Sequence, residues 1–287
     1  MATTLSNQAA LTGGTLGGDL LGRLLAKRRT LVMGVINVTP DSFSDGGHFL
    51  EPQAAIAQAR RLAAEGADIL DIGAESTRPY GGAVRVTLEE ERARLQPILS
   101  EVIALGFPVS IDTMKASVAA WALDRGAAMA NDVWGLQRDP DMARVVAERG
   151  VPVIIMHNRD AADPDIDIVA DVTAFFERSL DIAERAGIMR GRIVLDPGIG
   201  FGKTPEQSVT CIARLDAWRH FGLPILVGAS RKRFIHTILP SQPMERLGGS
   251  LAAHLLAVEN GAAIVRVHDV APTVQALAVA AAIRQAR

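Results

Sequence analysis

From Leu31 onward the chain alternates short apolar runs, rich in β-branched residues, with longer stretches whose apolar positions recur at helical spacing. The short runs read as buried parallel strands, and the stretches between them as crossover helices. Strands are predicted at 31–37, 68–73, 109–112, 128–132, 153–156, 193–196, 225–228 and 264–268. Helices are predicted at 53–65, 88–105, 115–125, 141–149, 169–186, 206–221, 245–260 and 273–285. Eight such units make an α/β protein of the (β/α)8 TIM barrel type. The rival architecture, a doubly wound open sheet, would carry a glycine-rich dinucleotide turn after its first strand. The residues from Thr39 to Gly47 have no such spacing. No Pro/Ser-rich linker divides the core, so residues 29–287 are expected to form one barrel domain. Residues 1–28, with Gly13-Gly14 and Gly17-Gly18 and no sustained periodicity, read as a loose leader or a short flap over the barrel bottom.

Composition leaves that architecture in place and removes several functions. Of 287 residues, 48% are hydrophobic and 22% charged, which excludes disorder for most of the chain. Lys and Arg total 30 against 32 Asp and Glu, a formal net charge of -2, and no long single-sign block stands out to follow a nucleic-acid backbone. No apolar run reaches the roughly 18 to 20 residues that cross a bilayer. The Leu20–Leu25 stretch precedes Lys27-Arg28-Arg29, the reverse of a secretory charge order, so no export signal is read. A single cysteine, Cys211, rules out an internal disulfide framework and a multi-thiolate zinc site and suits a reducing, cytoplasmic setting. The six histidines include no His-x-x-x-His pair, so the usual helical zinc signature is missing.

Candidate chemistry lies at the strand ends. Asn37, Asp71, Asp112, Asn131, His157, Asp196, Ser230 and the pair Arg266/His268 each stand at or just past the C-terminal end of a separate apolar run. Barrel active sites occupy that rim, and Asp and Asn are poor strand formers that are costly to leave unpaired in a barrel mouth. The ring is therefore expected to face a ligand. Side-chain alternation puts Arg266 and His268 on one side of their strand, where together they would grip an anion. Asp71, Asp112 and Asp196 suit the N–H donors of a flat heterocycle, and Asn131 both donates and accepts. Asp71 also reads as a cap of the segment that follows it. Gly202-Lys203-Thr204 matches the end of a phosphate loop, but Pro197 stands where the first glycine of that motif belongs. The run is read as a tight turn that lays Phe201 against a ligand, or as a plain turn. Glu89, Glu90 and Glu91 read as a solvated first helical turn favoured by the dipole.

Taken together, the motifs resemble the dihydropteroate synthases of the pterin-binding barrel family. The matching blocks run from Met33 to Gly47, Asp71 to Pro79, Ser110 to Thr113, Asn131 to Val133, Leu195 to Lys203, Ser230 to Lys232 and Arg266 to Asp269. They follow family order over nearly the whole core. The resemblance implies condensation of 6-hydroxymethyl-7,8-dihydropterin pyrophosphate with 4-aminobenzoate in folate biosynthesis. By similarity, Asp112, Asn131, Asp196 and Lys232 would read the pterin edge, with Met156 and Phe201 on its faces. Thr77, Arg266 and His268 would hold the pyrophosphate, and Asn37 would help coordinate a bridging Mg2+. Phe43, Arg78 and Pro79 are expected around the aminobenzoate and pyrophosphate, on two loops, 39–47 and 77–86, that resemble flaps closing over the second substrate. Ser230 precedes an expected helix whose N–H groups would receive a carboxylate.

The chain departs from the commonest family pattern at Tyr80, where glycine is usual, and at Arg233, where serine is common. The family generally forms homodimers through far-side helices, to which the apolar stretch 274–283 would contribute. Rival readings are a corrinoid-linked methyltransferase of the same superfamily, which needs no pyrophosphate grip, and a catalytically silent folate-pathway paralogue.

Overall fold

A computed structural model describes residues 19–38, 52–75 and 86–286. Eight strands, β1 (Leu31–Asn37), β2 (Ile69–Gly73), β3 (Val109–Asp112), β4 (Met129–Asp132), β5 (Val153–Met156), β6 (Ile193–Asp196), β7 (Ile225–Val227) and β8 (Ala262–Val267), pair in sequence order and in parallel. β8 returns to β1, with Leu31 opposite Ile264, so the sheet is a closed barrel. The (β/α)8 expectation holds, and the strand limits shift by no more than two residues.

Ten α-helices among the described residues are α1 (Leu20–Leu25), α2 (Pro52–Ala64), α3 (Leu88–Ile103), α4 (Ala116–Leu123), α5 (Met142–Arg149), α6 (Ile168–Arg185), α7 (Pro205–Ala213), α8 (Arg233–Ile238), α9 (Leu247–Glu259) and α10 (Val270–Gln285). Local chemistry sets several of their ends. Thr87 and Glu90 form a reciprocal capping box on α3, Thr204 and Gln207 form another on α7, and Asp167 caps α6. The single helix expected at 206–221 is instead α7 followed by a 3-10 segment, Leu215–Phe221. There Leu215, Trp218 and Phe221 are buried, and a three-residue apolar period fits three residues per turn.

The core has two shells. Outward-facing strand residues such as Ile36, Ile72, Ile111 and Leu195 pack under the helices. Inside the barrel, Met33, Ile69, Met129, Ile154, Val194, Leu226 and Ile264 pack together with Leu20, Leu21 and Leu24 of α1. Part of the expected leader is thus a helix that stoppers the barrel's N-terminal end. Burying a leucine side chain is worth about 1.5–3 kcal/mol, so the three leucines are ample reason for a six-residue helix to dock.

Candidate active site

Side-chain alternation carries the inner core upward into chemistry. Two residues beyond the inner positions of β2, β4, β5, β6, β7 and β8 come Asp71, Asn131, Met156, Asp196, Gly228 and Arg266, and four beyond Met33 comes the half-buried Asn37. The apolar layer below closes the barrel, so these groups meet at its C-terminal mouth. A narrow cleft is lined by Asp112, Asn131, Met156, Asp196, Phe201, Lys232 and Arg266, together with Val133, Ile199 and Gly228. Val133, Met156 and Phe201 form a small apolar cluster of their own there, backed by Met114 and Trp134. The cleft therefore has apolar walls and a polar edge.

The electrostatics of that edge centre on Arg266. Its Nε donates to Asp71 Oδ2 at 2.6 Å and its Nη2 to Asp112 Oδ2 at 2.6 Å. Asp71 is fully buried and its Oδ2 also accepts from Asn131 Nδ2 at 3.2 Å, while Asp71 Oδ1 and Asn131 Oδ1 have no partner among the described residues. Asp71 is thus a supporting charge beneath the cleft. Burial opposes the charge on Arg266, but Asp71 and Asp112 outweigh it and hold the guanidinium protonated. Burial pushes Asp112 up to about 7 despite Arg266, with Asp71 adding to the rise. Burial likewise raises Asp196 to about 6, against the Gly198 N–H that donates to its Oδ1 at 2.8 Å and against Lys232. Carboxyls displaced toward neutrality in a cleft mark a site where proton and charge balance matter. Gly73 is what lets Asp112 lie there: a Cβ at residue 73 would stand 3.2 Å from the Asp112 Cβ across the β2–β3 register.

The loop after β6 matches the tight turn expected there. Gly198, Gly200 and Gly202 all have positive φ, and a Cβ at Gly198 would lie 2.0 Å from the His157 carbonyl oxygen. Phe201 is carried over the cleft, with Lys232 Nζ 4.0 Å from its ring centroid, a cation–π contact.

Other expected placements differ. Arg266 and His268 each have protein partners in this arrangement. Arg266 is engaged by two carboxylates, and His268 Nδ1 lies 3.0 Å from Ser230 Oγ, outside the cleft lining. Burial, reinforced by Arg266, brings His268 down to about 3, so it is a neutral ring at neutral pH. His157, expected in the ring, turns outward: its Nε2 lies 2.9 Å from Asp171 Oδ2 and its Nδ1 2.6 Å from Lys203 Nζ. Inward-facing Ile154 and Met156 already required that parity. Lys203 is wholly buried and also donates to the Phe201 carbonyl at 3.1 Å. Burial lowers it to about 8, and lowers His157 to about 4 with Lys203 adding to the drop; the hydrogen bond from His157 takes Asp171 to about 2. Glu91 is not solvated either. It is fully buried on α3 and paired at 2.6 Å with Lys115, which also bridges Glu75 at 2.5 Å.

Phe43, Thr77, Arg78, Pro79, Tyr80 and both flap loops up to residue 85 lie outside the described residues. Among the described residues no cluster of three His, Cys, Asp or Glu side chains is arranged to hold a metal.

A family model described as "Pterin binding enzyme" matches residues 33–268. The dihydropteroate synthase of Bacillus subtilis (strain 168) is 45% identical over 245 residues, 85% of either chain. The chain belongs to the dihydropteroate synthase family of transferases. A Xanthomonas albilineans dihydropteroate synthase solved with 4-aminobenzoic acid superposes with a TM-score of 0.85 at 46% identity, covering 89% of this chain and 93% of that one. The same species' enzyme in complex with 7,8-dihydropteroate gives 0.81 at 44%, over 89% and 94%.

Proposed function

We propose that this protein is a Mg2+-dependent dihydropteroate synthase, condensing 6-hydroxymethyl-7,8-dihydropterin pyrophosphate with 4-aminobenzoate to 7,8-dihydropteroate and pyrophosphate by an SN1-like substitution. One observation carries the reading: a single cleft gathers Asp112, Asn131, Met156, Asp196, Phe201, Lys232 and Arg266, apolar on its faces and polar along its edge. In this reading the reduced pterin lies between Met156 and Phe201. Asp112, Asn131, Asp196 and Lys232 hydrogen-bond its edge. The Xanthomonas complexes with 4-aminobenzoic acid and with 7,8-dihydropteroate support the substrate class.

An aryl amine is a weak nucleophile, so departure of pyrophosphate carries the barrier. The methylene C–O bond breaks with its electron pair leaving on pyrophosphate, and the cationic methylene is delocalised into the reduced ring. Carboxylates at Asp112 and Asp196 stabilise that charge more than they stabilise the neutral ground state, which is what accelerates a reaction. The amine lone pair then forms the C–N bond, and its proton is lost to solvent or phosphate. On the other side, Arg266, His268 and Thr77 are assigned to the pyrophosphate. Arg266 would exchange a carboxylate partner for phosphate oxygens, and His268 would donate as a neutral ring.

Bound Mg2+ would neutralise charge on the leaving group. Asn37, half-buried at the end of β1, would offer that ion one amide oxygen, with water and substrate phosphates supplying the other ligands. The reading extends to Phe43, Arg78 and Pro79 around the aminobenzoate, to Ser230 at its carboxylate and to a cytoplasmic location, consistent with a lone, buried thiol at Cys211. It extends also to a homodimer, since α9 and α10 expose Leu256, Val279 and Ile283. Incubating the purified protein with the pterin pyrophosphate, aminobenzoate and Mg2+ tests the proposal. Pyrophosphate release that needs all three is the expected result, and pterin binding without release would leave only a binder.

A further inference from the structure

The loop from Gly228 to Lys232 joins β7 to α8 and brings two groups to the rim, the Lys232 ammonium over Phe201 and the Ser230 hydroxyl against His268. Its backbone is not one the chain adopts unaided. Arg231 has φ +57, a left-handed conformation disfavoured for a residue with a Cβ, so neighbouring structure must hold it.

α9 does so with two side chains one turn apart on the same face. Ser250 Oγ donates to the Arg246 carbonyl at 2.7 Å and accepts from the Arg231 backbone N–H at 2.9 Å. His254 Nε2 accepts from the Ala229 backbone N–H at 3.1 Å. The two amides flank Ser230, and both α9 side chains are buried. His254 can accept there only with Nε2 unprotonated, because a protonated Nε2 would meet the Ala229 N–H donor to donor. Its proton then sits on Nδ1, which is buried without a partner among the described residues. A leucine would fill that space and remove the ring N–H, but it would leave the buried Ala229 amide without its acceptor, so packing alone does not account for a histidine. α8, which follows Lys232, rests on the same helix: a Cβ at Gly249 would lie 2.5 Å from Ile235 Cγ2. The Arg231 guanidinium closes the arrangement from the other side, paired through Nε and Nη2 with both oxygens of Asp269, just past β8.

We infer that Ser250 and His254 are positioning residues, which hold the Ala229 and Arg231 amides and so fix the left-handed turn that sets Lys232 over Phe201 and Ser230 against His268. The inference rests on the proposed function only in taking Lys232 to contact the pterin. His254→Leu tests it beside His254→Gln, whose side-chain oxygen can stand near the place of Nε2 and accept the same N–H. Two readouts separate the loop from the activity: hydrogen exchange at the Ala229 and Arg231 amides, and calorimetric binding of 6-hydroxymethyl-7,8-dihydropterin pyrophosphate. His254→Leu, folded by circular dichroism, is expected to speed exchange at the Ala229 amide and to weaken pterin binding at least tenfold. His254→Gln is expected to bind within threefold of wild type. A folded His254→Leu with wild-type exchange and affinity overturns the inference, as does His254→Gln behaving like His254→Leu. If His254→Leu does not fold, Ser250→Ala, read at the Arg231 amide, decides by the same criteria. Wild-type protein that binds no pterin pyrophosphate would count against the proposed function, while the exchange data would still judge the loop.

Discussion

Asp71 shows how a residue can be conspicuous in sequence and ambiguous in role. Its place at a strand end was legible, but a cap and a ring member look alike in one dimension. Three-dimensional packing decides, because only the closed barrel brings β8 beside β1 and Arg266 within reach of β2 and β3. The residue is fully buried and shares Arg266 with Asp112. Asp71→Asn keeps the shape and removes the charge, leaving a buried guanidinium with one carboxylate instead of two. Breaking a buried pair in this way is expected to cost about 3 kcal/mol of stability, read from urea unfolding. A variant as stable as wild type would mean that Asp112 alone compensates Arg266. His157 teaches the complementary lesson. Its position after an apolar run suggested the rim, whereas the two-residue alternation from Ile154 through Met156 already pointed it at the helices.

At the scale of elements, strands were easier to read than what joins them. Buried parallel strands are continuous apolar runs bounded by turns, so all eight could be located, four of them to the residue at both ends. The helix expected at 206–221 broke because a three-residue apolar period was counted within a 3.6-residue one. The fully buried state of Glu91 was invisible because its partner, Lys115, comes from another βα unit. The chain Asp171–His157–Lys203 was missed for the same reason, since its members are neighbours only after β5 and β6 pair. That chain ends on the Phe201 carbonyl and anchors the loop that walls the cleft. Lys203→Met conserves length and apolar bulk but removes the donor. It should fold, yet bind the pterin pyrophosphate about tenfold more weakly, the order expected for one charge-assisted hydrogen bond. Unchanged affinity would show that the glycine turn holds Phe201 without it.

Across the whole molecule, the barrel could be read because eight similar units leave few other ways to bury eight apolar strands. The docking of α1 matches the flap over the barrel bottom, one of two readings of the leader, but its helical form was not legible, since six residues are too short to show a period. Acid sensitivity also belongs to this scale. His254 is held neutral by burial, its value lowered from 6.5 to about 4. Between those values the unfolded chain binds the proton and the folded one does not, so this contribution is full above pH 6.5 and fades as pH falls toward 4. In urea denaturation, His254→Gln should therefore gain on wild type progressively over that window, by up to about 3 kcal/mol. A stability difference that stays constant with pH would mean that the folded protein admits the proton.

The chemistry itself comes down to whether the cleft favours the charged transition state over the bound substrate. Asp112→Asn separates the two, because an amide still hydrogen-bonds the pterin edge but cannot stabilise a developing cation as a carboxylate does. Single-turnover pyrophosphate release and calorimetric affinity for the pterin pyrophosphate should be measured on the same variant at pH 8, above the raised Asp112 value of about 7. Dissociative substitution requires release to slow by roughly a hundredfold or more, about 3 kcal/mol, while the dissociation constant stays within a few-fold. Equal losses in both would contradict it.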